Sequence, residues 1–322
     1  MRTGALHILL VFLPAILFPW CHPSVAGSAS ITDYRPIFLE GRTSAGEMRI
    51  AIRQFRKDKL PYLLLVNPFS LETSSVPEDS FSPLEDDSAA ETPFVRALVR
   101  YSAPPWKLQN HGMVHADPSV QGVFLTVDMC PSSKPFEKAF FEFLADLSGE
   151  LGKGTPVAVA VSGNWLLNHR EEFQWILGRI REGKIAVTWV NHSFSHPFYP
   201  GTPLDRNFLL TPGTDFDHEV LETERVLLEN GETPSPFFRF PGLVADGTLV
   251  KKLRRMSLIP VGSDAWLAKG ELPKGGSIIL VHGNGNEPSG IRIVLQLLKG
   301  EVGMKLLPLC EAVSDRGRRP AE

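Results

Sequence analysis

The segment from residue 123 to residue 190 contains three apolar runs: VFLTV (123–127), PVAVAV (156–161) and KIAVTWV (184–190). A segment with helical periodicity follows each run, near residues 135–152, 165–182 and 214–230. A further helix near 288–300 lies among four more apolar runs, which are PFFRF (236–240), SLIPV (257–261), SIILV (277–281) and MKLLPL (304–309). Strands that alternate with helices indicate β-α-β crossovers and a parallel sheet. We therefore predict an α/β fold with a sheet long enough to close into a barrel.

The composition is that of a folded globular protein. The 322 residues include 33 basic and 36 acidic side chains, for a formal net charge of −3, and 43% of the residues are hydrophobic. These values exclude a mostly disordered chain, a collagen and a multi-span membrane protein. No basic block outweighs the acidic residues, so we expect no nucleic-acid partner.

The first 26 residues have the layout of a secretory signal peptide. One charge, Arg2, precedes an apolar run from Ala5 to Trp20, and small residues at 24–26 offer a cleavage site. The run is near 16 residues long and contains Pro14, whereas a membrane-spanning helix needs about 20 apolar residues. We therefore expect an exported protein, periplasmic or extracellular. The alternative is a membrane anchor formed by an uncleaved signal.

Residues 27–110 form an N-terminal extension in this interpretation. Within it, residues 44–59 have helical character, and residues 62–66 have the character of a buried strand. The segment 71–95 is rich in acidic, serine and proline residues, which is typical of an exposed loop or linker. We assign no function to the extension and expect the main domain over residues 111–315.

Ionisable or metal-binding side chains follow most of the predicted strands. Asp128 and Cys130 follow the first strand, and His192 and His196 follow the third. The remaining strand-end residues are Arg239, Asp264 and His282. In parallel α/β folds the chemistry lies just beyond the carboxyl ends of the strands. We therefore expect these side chains to meet in one site.

Each of these residues has a structural interpretation beside the functional one. His192 and His196 are four residues apart, so a helical turn would place both imidazoles on one face, close enough to share a metal ion. Asp128 is a helix N-cap, a general base or a ligand. His282 is a buried structural histidine or a general acid.

Three further features bear on function. Arg239 and Asp264 either form ordinary ion pairs or hold a catalytic carboxylate and a catalytic imidazole in the required charge state. Trp266, beside Asp264, is the best candidate among the tryptophans for stacking on a sugar ring. The chain has no GxSxG, GxxxxGK[ST] or CxxC pattern, which leaves serine-hydrolase, nucleotide-binding and thiol-redox functions without support.

These residues resemble the motifs of the polysaccharide-deacetylase, or NodB-like, family of carbohydrate esterases, from about Val123 to Leu309. The resemblance is carried in order by TVDMCP (126–131), NHSFSHP (191–197), RFPG (239–242), DAW (264–266) and LVH (280–282). The second motif is the most specific. The resemblance implies a distorted (β/α) barrel and metal-dependent removal of N-acetyl groups from a glycan.

The resemblance also implies roles for the metal and the base. His192 and His196 would hold a divalent ion, with zinc the expected one for two imidazoles. Asp128, positioned by Arg239, would take a proton from the attacking water.

The resemblance also implies which residues protonate the leaving group, hold the oxyanion and contact the substrate. His282, oriented by Asp264, would protonate the departing amine. A backbone N–H near Gly242 would help to hold the oxyanion, and Trp266 would contact the substrate.

The first motif departs from the family pattern, in which two consecutive acids serve as base and metal ligand. Met129 takes the ligand position here and Cys130 the glycine position after it, and the usual aromatic between Pro241 and Gly242 is absent. The third metal position is therefore open to water, to Asp128 or to a Cys130 thiolate. Alternatively, Cys130 forms a disulfide with Cys310, since the first and last strands are neighbours in a closed barrel.

The expected partner is an N-acetylated glycan of the cell envelope or the extracellular space, with peripheral association with the envelope. Peptidoglycan, a chitin-like oligomer and an exopolysaccharide all fit. Two alternatives stay open: a non-catalytic member that binds a glycan and has lost turnover with its metal carboxylate, and an amide hydrolase that acts on a non-sugar substrate.

Overall fold

The structure is a computed structural model that describes residues 29–84, 89–117, 120–300 and 304–313. The predicted signal peptide, residues 1–26, lies outside these ranges. Within them, no helix combines the length and the apolarity needed to cross a membrane.

The N-terminal extension folds as an antiparallel sheet with the strand order β4-β3-β2-β1-β5. Its strands are β1 (Ile31–Thr43), β2 (Met48–Lys57), β3 (Leu60–Val66), β4 (Thr73–Pro77) and β5 (Phe81–Pro83). The helical character predicted for residues 44–59 is therefore wrong. Asp58 and Lys59 both have positive φ, 51° and 71°, which is the geometry of a two-residue hairpin turn. Strand pairing on both sides of β2 overrides the local helical periodicity.

The acidic segment 71–95, predicted as an exposed loop, also contains regular secondary structure. It contains β4 and β5 and the first residues of helix α1 (Pro93–Tyr101). The buried Phe81 and Phe94 anchor it to the body of the protein. The serine and proline residues of β4 and β5 lie at exposed or half-buried positions of short edge strands, where such residues are tolerated.

The main domain contains a seven-stranded parallel sheet with the order β10-β9-β8-β7-β6-β12-β11. Its strands are β6 (Phe124–Met129), β7 (Thr155–Val161), β8 (Ile185–Asn191), β9 (Phe237–Phe238), β10 (Ile259–Pro260), β11 (Ala265–Trp266) and β12 (Ile278–His282). The predicted α/β fold with a distorted barrel is confirmed in the form of a curled, open half-barrel. In the described chain the edge strands β10 and β11 do not pair. The segment 304–309 makes one bridge, between Leu306 and Val123, and not the predicted strand.

Helices connect the consecutive strands from β6 to β10, and a last helix follows β12. They are α2 (Lys138–Leu151), α3 (Gly163–Asn168), α4 (Arg170–Arg181), α5 (Phe216–Glu229), α6 (Gly247–Arg255) and α7 (Pro288–Lys299). The helix predicted near 165–182 is divided at His169 into α3 and α4, and α6 is an addition to the prediction.

Side-chain alternation along β6 separates the two faces of the parallel sheet. Leu125, Val127 and Met129 pack in the cluster that contains the apolar residues of α2, α4 and α7. Phe124 points to the opposite face, into a cluster with Ile50 and Ile52 of the antiparallel sheet. The antiparallel sheet thus covers the amino-end part of that face and leaves its carboxyl-end part for polar residues.

Candidate functional site

The carboxyl ends of the central strands meet at one edge of the sheet. The register pairs His282 of β12 with Asp128 of β6, and Asn191 at the end of β8 pairs with Val161 of β7. A cavity of about 630 Å³ opens there, and its walls include Asp128, Cys130, His192, His196 and His282. The parallel arrangement thus brings together residues that are as much as 154 positions apart.

Arg239 holds Asp128 at the floor of this cavity. The arginine is fully buried, and its Nη1 donates to Asp128 Oδ1 over 2.6 Å and to Thr126 Oγ1 over 2.7 Å. Its Nη2 donates to the carbonyl of Gly262 over 2.9 Å. Burial opposes ionisation of Asp128, but the positive charges of Arg239, His192 and His282 outweigh it and lower the pKa of the carboxyl. The second carboxylate oxygen, Oδ2, lies 3.7 Å from His192 Nε2.

The two histidines of the second motif converge through a loop and not through the expected helical turn. The backbone after β8 turns at Ser193 and His196, which have φ of 65° and 48°. His192 Nδ1 donates to the carbonyl of Arg239 over 2.8 Å, and this directs its Nε2 toward the cavity. The two imidazole centroids are 4.8 Å apart.

Helix α5 holds this loop in place. The buried Glu219 accepts the backbone N–H groups of Phe194 and Ser195, each over 2.9 Å, and the hydroxyl of Ser195. Asn191 accepts the N–H of Ser193 over 3.0 Å. Sequence reasoning missed Glu219. Its one signal was an acid among the apolar positions of α5, which is a weak sign because helix acids are usually solvated.

Cys130, His192 and His196 form a group that fits a metal ion. Their donor atoms all lie within 4.8 Å of one another, and Cys130 Sγ is 3.5 Å from His192 Nε2. Two ligands bound tetrahedrally to zinc at 2.0–2.3 Å are about 3.5 Å apart. His196 Nε2 is buried and has no hydrogen-bond partner in the described chain. Thiolate and imidazole are ligands that zinc prefers.

Met129 cannot take part in this group. It is fully buried and packs in the apolar cluster beneath the helices, because adjacent residues of a strand point to opposite faces. Cys130, the next residue, faces the cavity. Burial opposes ionisation of this thiol, but the neighbouring imidazoles of His196 and His192 outweigh it and bring the pKa of Cys130 well below its usual value.

The alternative of a disulfide between Cys130 and Cys310 is not realised, and both cysteines are free. Cys310 lies with the cluster of the antiparallel sheet, away from the cavity. Burial, with Glu72 and Glu311 nearby, raises the pKa of the Cys310 thiol to about 11. The physical reason is the open half-barrel, in which the last segment runs past β6 without forming a strand beside Cys130.

His282 lies at the end of β12 with Glu287 beside it. His282 Nδ1 is 2.8 Å from Glu287 Oε2, and the same oxygen accepts the indole N–H of Trp266 over 2.7 Å. Burial opposes the charged imidazole, but Cys130, Glu287 and Asp128 outweigh it and bring the pKa of His282 well above its usual value. Glu287 is the second residue of the site that sequence reasoning missed, since it belongs to no motif.

The expected orientation of His282 by Asp264 is wrong. Asp264 precedes β11 instead of following a strand, and its carboxylate accepts the N–H of Ile278 over 3.0 Å and pairs with His115 at 2.7 Å. The parallel register sets Ala265 opposite Ile279. Asp264 is therefore level with Ile278, four residues before His282, or about 13 Å away along the strand.

Gly242 and Trp266, expected to contact substrate, both line the cavity. Gly242 has a φ of 61°, and a Cβ there would lie 2.4 Å from the ring of Phe208. Only glycine fits this position without displacing the ring. Trp266 is half-buried and presents its indole beside His282, with ring centroids 6.0 Å apart.

Comparison with known proteins gives one family match and several similar structures. Residues 32–94 match the RP012 protein N-terminal domain, a range that spans the antiparallel sheet. Among solved structures, a CE4 family pseudoenzyme from Bacillus anthracis is 14% identical with a TM-score of 0.45, and the match covers 65% of this chain and 70% of that one.

Two further structures are similar to the main domain. PdaA, a family 4 carbohydrate esterase from Bacillus subtilis, is 17% identical with a TM-score of 0.43, over 70% of this chain and 88% of that one. The chitin deacetylase of the fungal pathogen Colletotrichum lindemuthianum is 14% identical with a TM-score of 0.42, over 63% and 92%. Two of these structures are named as members of carbohydrate esterase family 4, the class of enzymes that the sequence motifs resemble. At identities of 14–17%, the activity of this chain has to be argued from its own site.

Proposed function

We propose that this protein is a metal-dependent hydrolase that removes N-acetyl groups from a polysaccharide of the cell envelope or the extracellular space. One observation carries the proposal. A Cys130/His192/His196 donor group, a carboxylate held by a buried arginine and an ion-paired histidine share one open cavity. These are the parts that hydrolysis of an amide requires.

The metal would be held by Cys130, His192 and His196. When bound, a divalent ion of the zinc type polarises a carbonyl group and makes water more acidic.

Asp128 is suited to the role of base. Its Oδ1 is occupied by Arg239, so Oδ2 is the oxygen that can take a proton from the attacking water. The arginine fixes the carboxylate in one orientation, and orientation is a large part of a general base's efficiency. His282 lies beside Asp128 on the neighbouring strand, lines the same cavity and can protonate the amine that leaves.

The shape and lining of the cavity suit a sugar. Its volume of about 630 Å³ lies in the range of small-molecule sites. Phe198 at its wall is 56% exposed, and the adjacent Tyr199 is 52% exposed. Exposed rings at a cavity that Trp266 also lines provide flat apolar faces for pyranose rings. An exported chain, as the first 26 residues predict, would meet such glycans outside the cytoplasm.

The proposal is tested by acetate release from N-acetylated chitin oligomers and from peptidoglycan, with elemental analysis of the same samples. We expect about one zinc ion per wild-type chain. His192→Ala removes one of the three donors and should abolish both the metal and acetate release. Cys310→Ala, outside the cavity, is the matched control and should keep both. Full activity in the His192→Ala variant would refute the metal-dependent hydrolase.

Met129 favours a second candidate, a catalytically impaired protein that binds a glycan. The position that carries a metal-binding acid in the family is here an apolar side chain buried in the core. This candidate predicts glycan binding without acetate release, even after addition of zinc or cobalt. Acetate release by the reconstituted wild type would exclude it.

A further inference from the structure

We propose that Glu287 positions the proton-donating histidine of this site, His282, in place of the motif residue Asp264. The inference rests on the proposed function and goes beyond it, because no motif of the sequence contains Glu287.

The two ring nitrogens of His282 have different surroundings. Nδ1 lies 2.8 Å from Glu287 Oε2, an ion-pair contact in which the N–H is inclined away from the oxygen. The carboxylate on this side favours a proton on Nδ1. Nε2, on the opposite edge of the ring, is therefore the nitrogen on the side of the cavity, which Cys130 and Asp128 also line.

Glu287 is itself held from two directions. It is the residue before α7, where the positive end of the helix dipole stabilises a carboxylate. Its Oε2 also accepts the indole N–H of Trp266 over 2.7 Å, and Lys269 Nζ lies 3.4 Å from the centroid of that indole ring. The carboxylate thus joins Trp266, on the cavity wall, to His282.

The loop that carries Glu287 is fastened to the end of β6. Asn284 donates to the carbonyl of Cys130 over 2.8 Å, and the N–H of Gly283 donates to the carbonyl of Asp128 over 3.1 Å. The position of Glu287 is therefore tied to the residues that would bind the metal and act as base. In contrast, Asp264 is tied to the opposite end of β12 by Ile278 and His115.

Water adds its oxygen to the acetamide carbonyl carbon and gives a proton to Asp128, and the carbon–nitrogen bond breaks. The leaving nitrogen takes a proton from His282 Nε2, so the imidazolium becomes neutral imidazole while Glu287 stays a carboxylate. The products are an amine and acetic acid, which keeps the second proton of the water and loses it to solvent to become acetate. Solvent returns the proton to His282, and Asp128 releases its proton to solvent.

Glu287→Gln tests this role through the leaving group. An acetamide needs a proton on its nitrogen before the bond breaks, whereas p-nitrophenyl acetate releases a weakly basic phenolate that needs none. For the N-acetylated oligosaccharide we expect kcat to fall about 10- to 100-fold with KM unchanged, as for other positioning partners of histidine. Hydrolysis of p-nitrophenyl acetate should keep its wild-type rate.

Asp264→Asn is the matched control, and its rates are compared per folded, zinc-loaded molecule. It should leave both substrates at wild-type rates. Equal losses on amide and ester in Glu287→Gln, or a loss in Asp264→Asn that equals that of Glu287→Gln on the amide, would overturn the proposal.

Nitrogen NMR of the histidine rings separates this inference from the proposed function. If wild type hydrolyses neither substrate, the deacetylase function fails, and the ring spectrum alone decides. The His282 Nδ1–H signal, assigned with His282→Asn, should shift or disappear in Glu287→Gln and persist in Asp264→Asn. An unchanged signal in Glu287→Gln would refute the positioning role.

Discussion

In the described part of the chain, two buried arginine–carboxylate pairs differ in how many oxygens of the carboxylate are used; one joins the antiparallel sheet to α5, and the other lies in the cavity. In the first pair, Arg53 of β2 donates to both oxygens of Glu224 of α5, over 2.7 and 2.9 Å. Tyr34 donates to one of these oxygens over 2.8 Å. In the second pair, Arg239 donates to only one of the two carboxylate oxygens of Asp128, Oδ1.

The difference distinguishes a carboxylate with a structural role, Glu224, from one with a chemical role, Asp128. Every oxygen of Glu224 is occupied, so this carboxylate fastens the antiparallel sheet to α5 and has nothing left for a ligand. Asp128 keeps Oδ2 directed to the cavity, where in the described chain it accepts no hydrogen bond. This oxygen is therefore available to a substrate, an ion or water that enters the cavity.

Asp128→Asn breaks the cavity pair and should have the largest effect. The amide can still accept from Arg239, but it cannot take a proton, so kcat for acetate release should fall about 10²- to 10⁴-fold. Acetate release at saturating substrate and equal zinc content measures this effect. A loss of less than tenfold would contradict the assignment of Asp128 as base.

Arg53→Met breaks the pair between the sheets. It leaves Glu224 buried without its cation, which should lower the free energy of unfolding by about 3–5 kcal/mol in urea denaturation. Arg56→Met on the same strand is the control, because Arg56 and its partner Asp33 are 54% and 73% exposed. Such an exposed pair contributes about 0–1 kcal/mol. Equal effects of the two substitutions would show that burial of the pair does not matter.

Glu219→Gln sharpens the comparison with a smaller effect. Both carboxylate oxygens of Glu219 accept hydrogen bonds, but the donors belong to no arginine. They are Phe194 and Ser195, in the loop between His192 and His196. Loss of its charge should loosen the loop and weaken zinc binding about 10- to 100-fold, measured by competition with a chelating dye. Glu222→Gln on the same helix, whose carboxylate pairs with Arg225, should bind zinc like the wild type. A wild-type affinity in Glu219→Gln would show that the loop holds its shape without α5.

The site residues that follow the long strands were predictable from the sequence. Asp128, His192 and His282 each come at the end of an apolar run of five or more residues, and parallel pairing sends such ends to one edge. The two-residue strands β9, β10 and β11 carry too little pattern to show on which side of a strand a polar residue lies. That is why Asp264 was assigned to the wrong end of the sheet.

The sequence by itself determined the parallel sheet, the edge that carries the chemistry and the histidines and acid that meet there, because apolar runs and their polar ends are local patterns. Only the tertiary structure decided that Cys130 joins His192 and His196, that Glu287 accompanies His282, and that residues 31–83 form a sheet beneath the cavity. Those outcomes depend on strand register and on contacts between residues far apart in the chain. No local pattern encodes which of several nearby acids or thiols a given imidazole will meet.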